Sequence, residues 1–379
     1  MRFLSKKHIL NTEWIVNNCI GIFLVLFYLT EGYSKLHELL TGLYSPLPQY
    51  VKLGVLIALA GFLVKKNTGF LVKVGILVFI FFLGQAALSC GFNGKTITAL
   101  GKYIYPLLLF KTFSIYLLST KSKESLFNIF EWLLVFNSAL IFIGFILGVE
   151  AFKTYDGLRF GYNGLFLTSS TGSYVYLVGL FYFLLKRKLD FKTIFITASS
   201  LLIGTKAVYL TLLIISVYLI FILVRRKFRY WLLGIVLFLG ILFAYIFLYR
   251  YGIFREIIQE KGLLSALLSF RNDLFMEDVL PFIQENWKGV HYFIGGLCDI
   301  RSRSEMGFID IVYLFGFLGG AFYLYLYYKS YFTFKFNLST KVFVTTMIVL
   351  VALAGNFFYY ATIPIYLLIY RERLLYEEV

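Results

Sequence analysis

Apolar runs joined by short charged turns repeat along almost the whole chain. A run of roughly 18 or more apolar residues is long enough to cross a hydrocarbon core about 30 Å thick. Such runs predict helical spans over 14–30, 48–64, 70–90, 97–118, 126–149, 167–185, 191–204, 206–224, 230–249, 307–328, 341–357 and 359–370. A membrane β-barrel would instead alternate polar and apolar positions in segments of about ten residues. The expected class is therefore all-α: a polytopic membrane protein with about twelve transmembrane helices, forming one transmembrane domain over 1–379. The stretches 191–224 and 341–370 each read as one long helix or two short ones. A single helix over 191–224 would reach roughly 51 Å, too long for an untilted crossing. Gly204-Thr205-Lys206 offers a break there, and Gly355-Asn356 and Pro364 offer one in the last pair. Trp14 to Thr30 follows Arg2, Lys6 and Lys7 as a signal peptide would, but no small-residue cleavage site follows, so it reads as a retained helix.

The pattern breaks between Arg250 and Glu305. There Arg250, Arg255, Lys261, Arg271, Lys288, Arg301 and Arg303 interleave with Asp273, Glu277, Asp278, Glu285, His291, Asp299 and Glu305. A loop this long is usually functional or disordered. Helical periodicity and aromatic residues predict a functional loop bearing short helices, inserted over 250–305 between the ninth and tenth spans.

Charge refines the picture. Only 15% of residues are charged, yet the formal net charge is +16. In a soluble protein that would point to nucleic acid; here the positive-inside rule accounts for most of it. With a cytoplasmic N-terminus, twenty of the 36 Lys and Arg fall in cytoplasmic segments and twelve on the opposite face. Seven of those twelve lie in the long segment, and long loops escape the rule. Lys52, Lys73, Lys102 and Lys111 fall inside spans. Both termini are thus expected inside and the long segment outside, with the lipid bilayer as the partner and no nucleic acid.

Little points to cofactor chemistry. Cys19, Cys90 and Cys298 are scattered and odd in number, which reads as no disulfide framework. His8, His37 and His291 stand far apart, and no cluster has metal-ligand spacing. There is no P-loop and no dinucleotide fingerprint, so no cofactor is expected. What stands out is three cations on the outward side. Arg159 lies in Asp156-Gly157-Leu158-Arg159-Phe160-Gly161-Tyr162-Asn163-Gly164, where flanking glycines would let backbone approach a ligand. Lys206 follows Gly204-Thr205, and Arg271 opens a helix with an apolar stripe at Leu274, Phe275, Val279 and Phe282. Each has a plain alternative: a solvated loop arginine, a lysine snorkelling to head groups, an arginine paired with Asp273 or Glu277. Together they suit a diphosphate, because arginine presents planar paired donors to phosphate oxygens.

In the order of these pieces the chain resembles the O-antigen and capsular polysaccharide polymerases of the Wzy type, and more distantly the O-antigen ligases. Arg159-Phe160-Gly161-Tyr162-Asn163 is similar to the family's outward arginine loop. Gly204-Thr205-Lys206-Ala207 is similar to its Gly-Ser-Arg-like turn, with lysine in place of arginine. Arg271 to Leu280, followed by Phe293-Ile294-Gly295-Gly296-Leu297, is similar to its long outer loop, and Glu305 to Asp310 to the entry of the next span. Ligases usually carry a histidine near Glu305; its absence here favours a polymerase. The resemblance covers roughly residues 150–330.

It implies a fold of the membrane glycosyltransferase C type, with an active site where outer loops meet the bilayer. The implied reaction moves a glycan from undecaprenyl diphosphate to a second lipid-linked repeat unit, building lipopolysaccharide or capsule, with a chain-length regulator as a possible partner. Arg159, Lys206 and Arg271 would hold the diphosphate, with Arg301 and Arg303 in reserve. Glu305, Asp310 and His291 are the candidate bases. Tyr155, Tyr162, Trp287 and Tyr292 could stack on sugars, though interfacial aromatics are common without ligands. Two alternatives stay open: an O-antigen ligase, and a non-enzymatic transporter or flippase of lipid-linked glycans. The latter would be expected to show internal symmetry and several deep charges, of which Glu131 and Lys111 are the nearest cases here.

Overall fold

The computed structural model describes residues 5–88, 94–116, 118–155, 157, 159–186, 189–250, 252–353 and 355–378. Among them the chain is helical throughout, with one isolated backbone bridge between Lys153 and Tyr162. Each of the twelve apolar segments expected from sequence falls on a helix: α1 (Ser5–Thr41), α2 (Leu47–Lys66), α3 (Thr68–Ala87), α4 (Gly94–Ile115), α5 (Thr120–Leu147), α6 (Ser169–Lys186), α7 (Phe191–Ser200), α8 (Lys206–Leu223), α9 (Arg226–Tyr249), and, after the long segment, α15 (Gly307–Tyr331), α16 (Leu338–Leu353) and α17 (Ile363–Glu377). Among the described residues seven of these are long and apolar enough to cross a membrane: α1, α2, α3, α5, α8, α9 and α15.

The breaks have local causes. Asn67 ends α2 and caps α3, its side-chain oxygen accepting from the Phe70 amide. Ser119 caps α5 in the same way, and Gly148 closes it in the left-handed conformation. The stretch 191–224 is two helices, as the Gly204 break indicated, and 341–370 is likewise divided between α16 and α17. Gly316 interrupts α15 with φ 70°, a conformation that costs glycine little.

Burial sorts the helices. α4, α6, α15 and α17 form the centre, with rows of fully buried Leu, Phe and Tyr such as Tyr103, Phe110, Tyr176, Tyr323 and Tyr366. By contrast α9 has no buried share along its apolar window and packs on α8 and α10 (Gly252–Lys261). An apolar helix with nothing of its own chain over it belongs in lipid, where exposed Leu and Phe cost nothing.

The long segment is ordered around short helices: α10, α11 (Leu263–Leu268), α12 (Arg271–Asp273), a π-helical turn over Leu274–Val279, α13 (Leu280–Asn286) and α14 (His291–Ile294). The stripe expected to be α-helical is thus widened. Pro281 just beyond it has no N–H to donate back into that turn, and π-bulges form where the i→i−4 ladder is broken. Val279 still buries, with Phe275 and Phe282 packed on the core. Cys298 is disulfide-bonded and Cys19 is free, which corrects the expectation of no disulfide; Cys90 lies outside the described residues.

Candidate functional site: a cationic cavity beneath the long segment

Two turns meet at the end of the bundle that carries the long segment. The 150–168 loop folds back so that the Thr154 amide donates to Gly161 O at 2.8 Å and the Tyr162 amide to Leu202 O at 2.8 Å. The Thr154 hydroxyl reaches Ile203 O at 2.8 Å. At the crossing, a Cβ on Gly204 (φ 73°) would lie 2.6 Å from Gly161 Cα. Only glycine on glycine permits that approach. The sequence placed glycines here for contact with a ligand; the structure uses Gly161 to bring one turn against another. The result sets Arg159 and Lys206 side by side.

From below, α1 and α5 hold the same loop. Lys35 Nζ donates to Asn163 Oδ1 at 2.5 Å, Gly164 O at 2.8 Å and Lys153 O at 3.0 Å. Asn137 accepts from the Leu165 amide at 3.0 Å and donates to Asn163 O at 3.1 Å, while Tyr28 donates to its oxygen at 2.9 Å. Neither Lys35 nor Asn137 stood out in sequence, because their partners are mostly backbone carbonyls and amides far along the chain.

Arg159, Lys206 and Arg271 line one cavity of about 640 Å³. Ser169, Ser170, Ser173 and Tyr155 complete its polar end, and Leu210, Leu213, Phe243, Ala244 and Leu248 of α8 and α9 form an apolar wall. Arg159 stacks on Tyr155, its Cζ 3.5 Å from the ring centre, and no carboxylate lies within 4 Å of it among the described residues. Burial, with Arg271 nearby, pulls its guanidinium below the ordinary value against the pull of Tyr155. Lys206 donates to carbonyls near the C-terminal end of α11, Ala266 O and Leu267 O, and to the Ser269 hydroxyl at 3.0 Å. It also lies 4.5 Å from the Phe254 ring centre. Thus it both faces the cavity and ties down the strap that delivers Arg271. The Nε–H donors of Arg159 and of Arg271 are buried without an acceptor. Arg229, Arg371 and Arg373 carry such donors too, and what sets Arg159 and Arg271 apart is that both line one cavity, where an anion can reach them.

Arg271 is held by unusual backbone. Ser269 (φ 55°), Phe270 (φ 65°), Glu305 (φ 59°) and Asn356 (φ 66°) are the four non-glycine residues with positive φ among those described. The first two lead into Arg271, Glu305 Oε2 lies 3.8 Å from its Nη2, and Asn356 follows Gly355, where a Cβ would fall 2.8 Å from Arg271 Nε. Each such conformation costs about 1–3 kcal/mol, and they collect where position matters more than comfort. Asp273 and Glu277, the partners considered from sequence, are engaged elsewhere: Asp273 with Ser265 and Asn272, Glu277 with Lys261.

The remaining candidates do not line the cavity. Asp310, 3% exposed, accepts from the Ser304 hydroxyl at 2.8 Å and faces Arg303 at 3.9 Å. Arg303 stacks on Tyr359 and donates to Asn356. Arg301 is exposed and chelates Asp299. His291 is buried, its Nδ1 accepting from the Lys288 amide. Trp287 donates to Gly296 O and stacks on Tyr313, so its ring is core; Tyr292 meets it edge-on from a more exposed position. Tyr162 packs against Phe145 and Phe160. Glu305, 35% exposed along its side chain and beside Arg271, is the one carboxylate within 4 Å of the three cavity cations among the described residues.

Comparison with family models, with curated proteins and with solved structures finds no match. The class is therefore defined by the molecule's own features: a helical protein with several membrane-length apolar helices and a cavity that is cationic at one end and apolar along one wall.

Proposed function

We propose that this protein is a membrane glycosyltransferase, a polysaccharide polymerase that moves a glycan from a polyprenyl diphosphate carrier to a second lipid-linked repeat unit. The observation that carries this reading is the two-ended cavity. A lipid diphosphate has the matching form, a compact polyanion on an isoprenoid tail. Arg159, Lys206 and Arg271 face the head, and the α8–α9 wall, open to lipid, faces the tail.

In this reaction the acceptor hydroxyl oxygen attacks the anomeric carbon. The bond from that carbon to the diphosphate breaks, and its electron pair leaves on the diphosphate oxygen. The three cations stabilise that charge as it develops. Glu305, within reach of Arg271, takes the hydroxyl proton. Twelve crossings, a glycosyltransferase C type of fold, cytoplasmic termini and a site on the outer side of the bacterial cytoplasmic membrane belong to the same proposal. The disulfide at Cys298 supports the outward placement, since disulfides persist in oxidising compartments.

The test is a glycan ladder on a gel, from a host lacking the gene and complemented with wild type or Arg271→Ala at matched membrane expression. The proposal expects a single capped repeat unit in the deletion strain, a ladder with wild type and none with Arg271→Ala. Full-length polymer stranded on its carrier in the deletion strain would make the protein a ligase. A ladder undiminished in Arg271→Ala would remove the diphosphate assignment and favour a transporter.

A further inference from the structure

A second group of cations lies outside the cavity. Lys102 of α4 and Arg303 both sit over the ring of Tyr359, at 3.8 Å and 3.6 Å from its centre. None of the three lines the cavity. All three are half-buried and so reach the surface. Among the described residues Lys102 has no carboxylate within 4 Å, whereas its neighbour Lys52 is neutralised by Glu31 at 2.6 Å. Arg303 has only Asp310 at 3.9 Å, and most of its donors go to Asn356 and Ile300 O. Two cations gathered on one ring repel each other, and Tyr359 holds both through its ring face and its hydroxyl oxygen, a neutral partner that does not cancel their charge. A lysine this far along an apolar helix is costly unless it has a task.

The arrangement repeats that of the cavity, where Arg159 also stacks on a tyrosine and has no carboxylate within 4 Å among the described residues. The two groups are joined by short connections. Gly355 lines the cavity, the next residue Asn356 binds Arg303, and Tyr359 follows three residues on. On the other strand of the connection, Arg303 stands two residues before Glu305, the partner of Arg271. The carboxylate thus faces Arg271 and follows Arg303 closely along the chain.

We propose that Lys102, Arg303 and Tyr359 form a second anion site, which takes the phosphate of a second lipid-borne group. Resting on the reaction proposed above, that group is the diphosphate of the acceptor, held so that its glycan reaches Glu305 while the donor occupies the cavity. The lysine ammonium and the guanidinium would clamp phosphate oxygens, and the tyrosine hydroxyl would donate a third bond.

The experiment titrates inorganic pyrophosphate into the full-length protein in phosphatidylcholine nanodiscs, followed by calorimetry. Two sites are expected for wild type. Lys102→Gln should lose one and keep the other, Lys102→Arg should retain both, and Arg271→Ala should lose the site that Lys102→Gln keeps. Two sites persisting in Lys102→Gln would overturn the proposal, as would wild type binding only once at a site that Lys102→Gln leaves unchanged. Failure of the cavity assignment alone would appear differently: a single wild-type site, lost in Lys102→Gln and untouched by Arg271→Ala. Repeating the titration with phosphatidylglycerol in the disc separates the sources of phosphate. Competition at the Lys102 site marks a bilayer head group as an occupant, and undiminished binding marks the free or lipid-linked diphosphate.

Discussion

Charges cluster at both ends of the bundle, and the cavity beneath the long segment treats its cations differently from the far end. At the end away from the long segment, buried carboxylates collect cations. Glu131 accepts from Lys186 at 3.1 Å, Lys192 at 2.9 Å and the Tyr182 hydroxyl at 3.1 Å. Glu372 pairs with Lys123 and with Arg371, which is wholly buried and also donates to Phe110 O and Ser330 O. Apart from the Arg371 Nε–H, these groups meet one another's donors and acceptors and join helices. At the long-segment end, Arg159 and Lys206 meet no carboxylate within 4 Å among the described residues, and Arg271 meets one at 3.8 Å. Neutralised charge welds a structure; surplus charge beside a cavity waits for something to arrive.

The largest expected effect breaks the surplus. Arg271→Ala should lower polymer formation by roughly 10²–10³, the usual cost of removing one donor from a charge-stabilising site. Thermal unfolding of the purified variant should stay close to wild type, since the strap retains its Lys206 contacts.

Breaking the balanced end should do the reverse. Glu131→Ala strips Lys192 of its carboxylate, leaves Lys186 with Asp190 alone at 3.0 Å, and should cost up to about 3 kcal/mol of stability, read as a lowered unfolding temperature in detergent. The fraction that folds should bind pyrophosphate as wild type does. Were it to lose binding in proportion, the contrast between the two ends would fail.

A finer change is Arg159→Lys. The charge stays but the planar donor pair is lost, so activity should fall roughly tenfold rather than vanish. Initial rates at matched expression check this, and full activity would show that only charge matters at that position.

The smallest effect concerns pH. Burial pushes the Asp190 carboxyl up, but the Thr193 amide and hydroxyl and the Lys186 ammonium hold it down to about 2. A depressed carboxylate contributes stability above its unfolded value, about 3.9, and loses it as pH falls toward the folded value. Unfolding temperature should therefore be insensitive to this group from pH 5 to 8 and decline below about pH 4; Asp190→Asn should flatten that decline.

Much of the fold was legible because hydropathy acts over whole helices. All twelve apolar segments fall on helices, and the Gly204 and Gly355-Asn356 breaks lie between helices as expected, whereas Pro364 sits in the first turn of α17. Arg159, Lys206 and Arg271 could be singled out because cations between apolar runs are conspicuous. Their convergence could not be read, since it depends on Gly161 meeting Gly204 and on Lys206 reaching carbonyls some sixty residues away. Lys35 and Asn137 were missed for the same reason. Trp287 was misleading in a different way: an aromatic residue in a polar segment looks available, and only packing on Tyr313 reveals that it is spent on the core. The disulfide at Cys298 was not legible in the cysteine spacing.

The most direct test of the central claim compares farnesyl diphosphate with inorganic pyrophosphate as ligands of the protein in nanodiscs. A cavity built for a lipid diphosphate should bind the tailed ligand at least about tenfold more tightly, a difference of roughly 1.4 kcal/mol. Cavity binding of both ligands should be lost in the Arg159→Ala/Arg271→Ala double variant. Equal affinities for the two ligands in wild type, or a double variant that binds the tailed ligand as tightly as wild type does, would contradict the account.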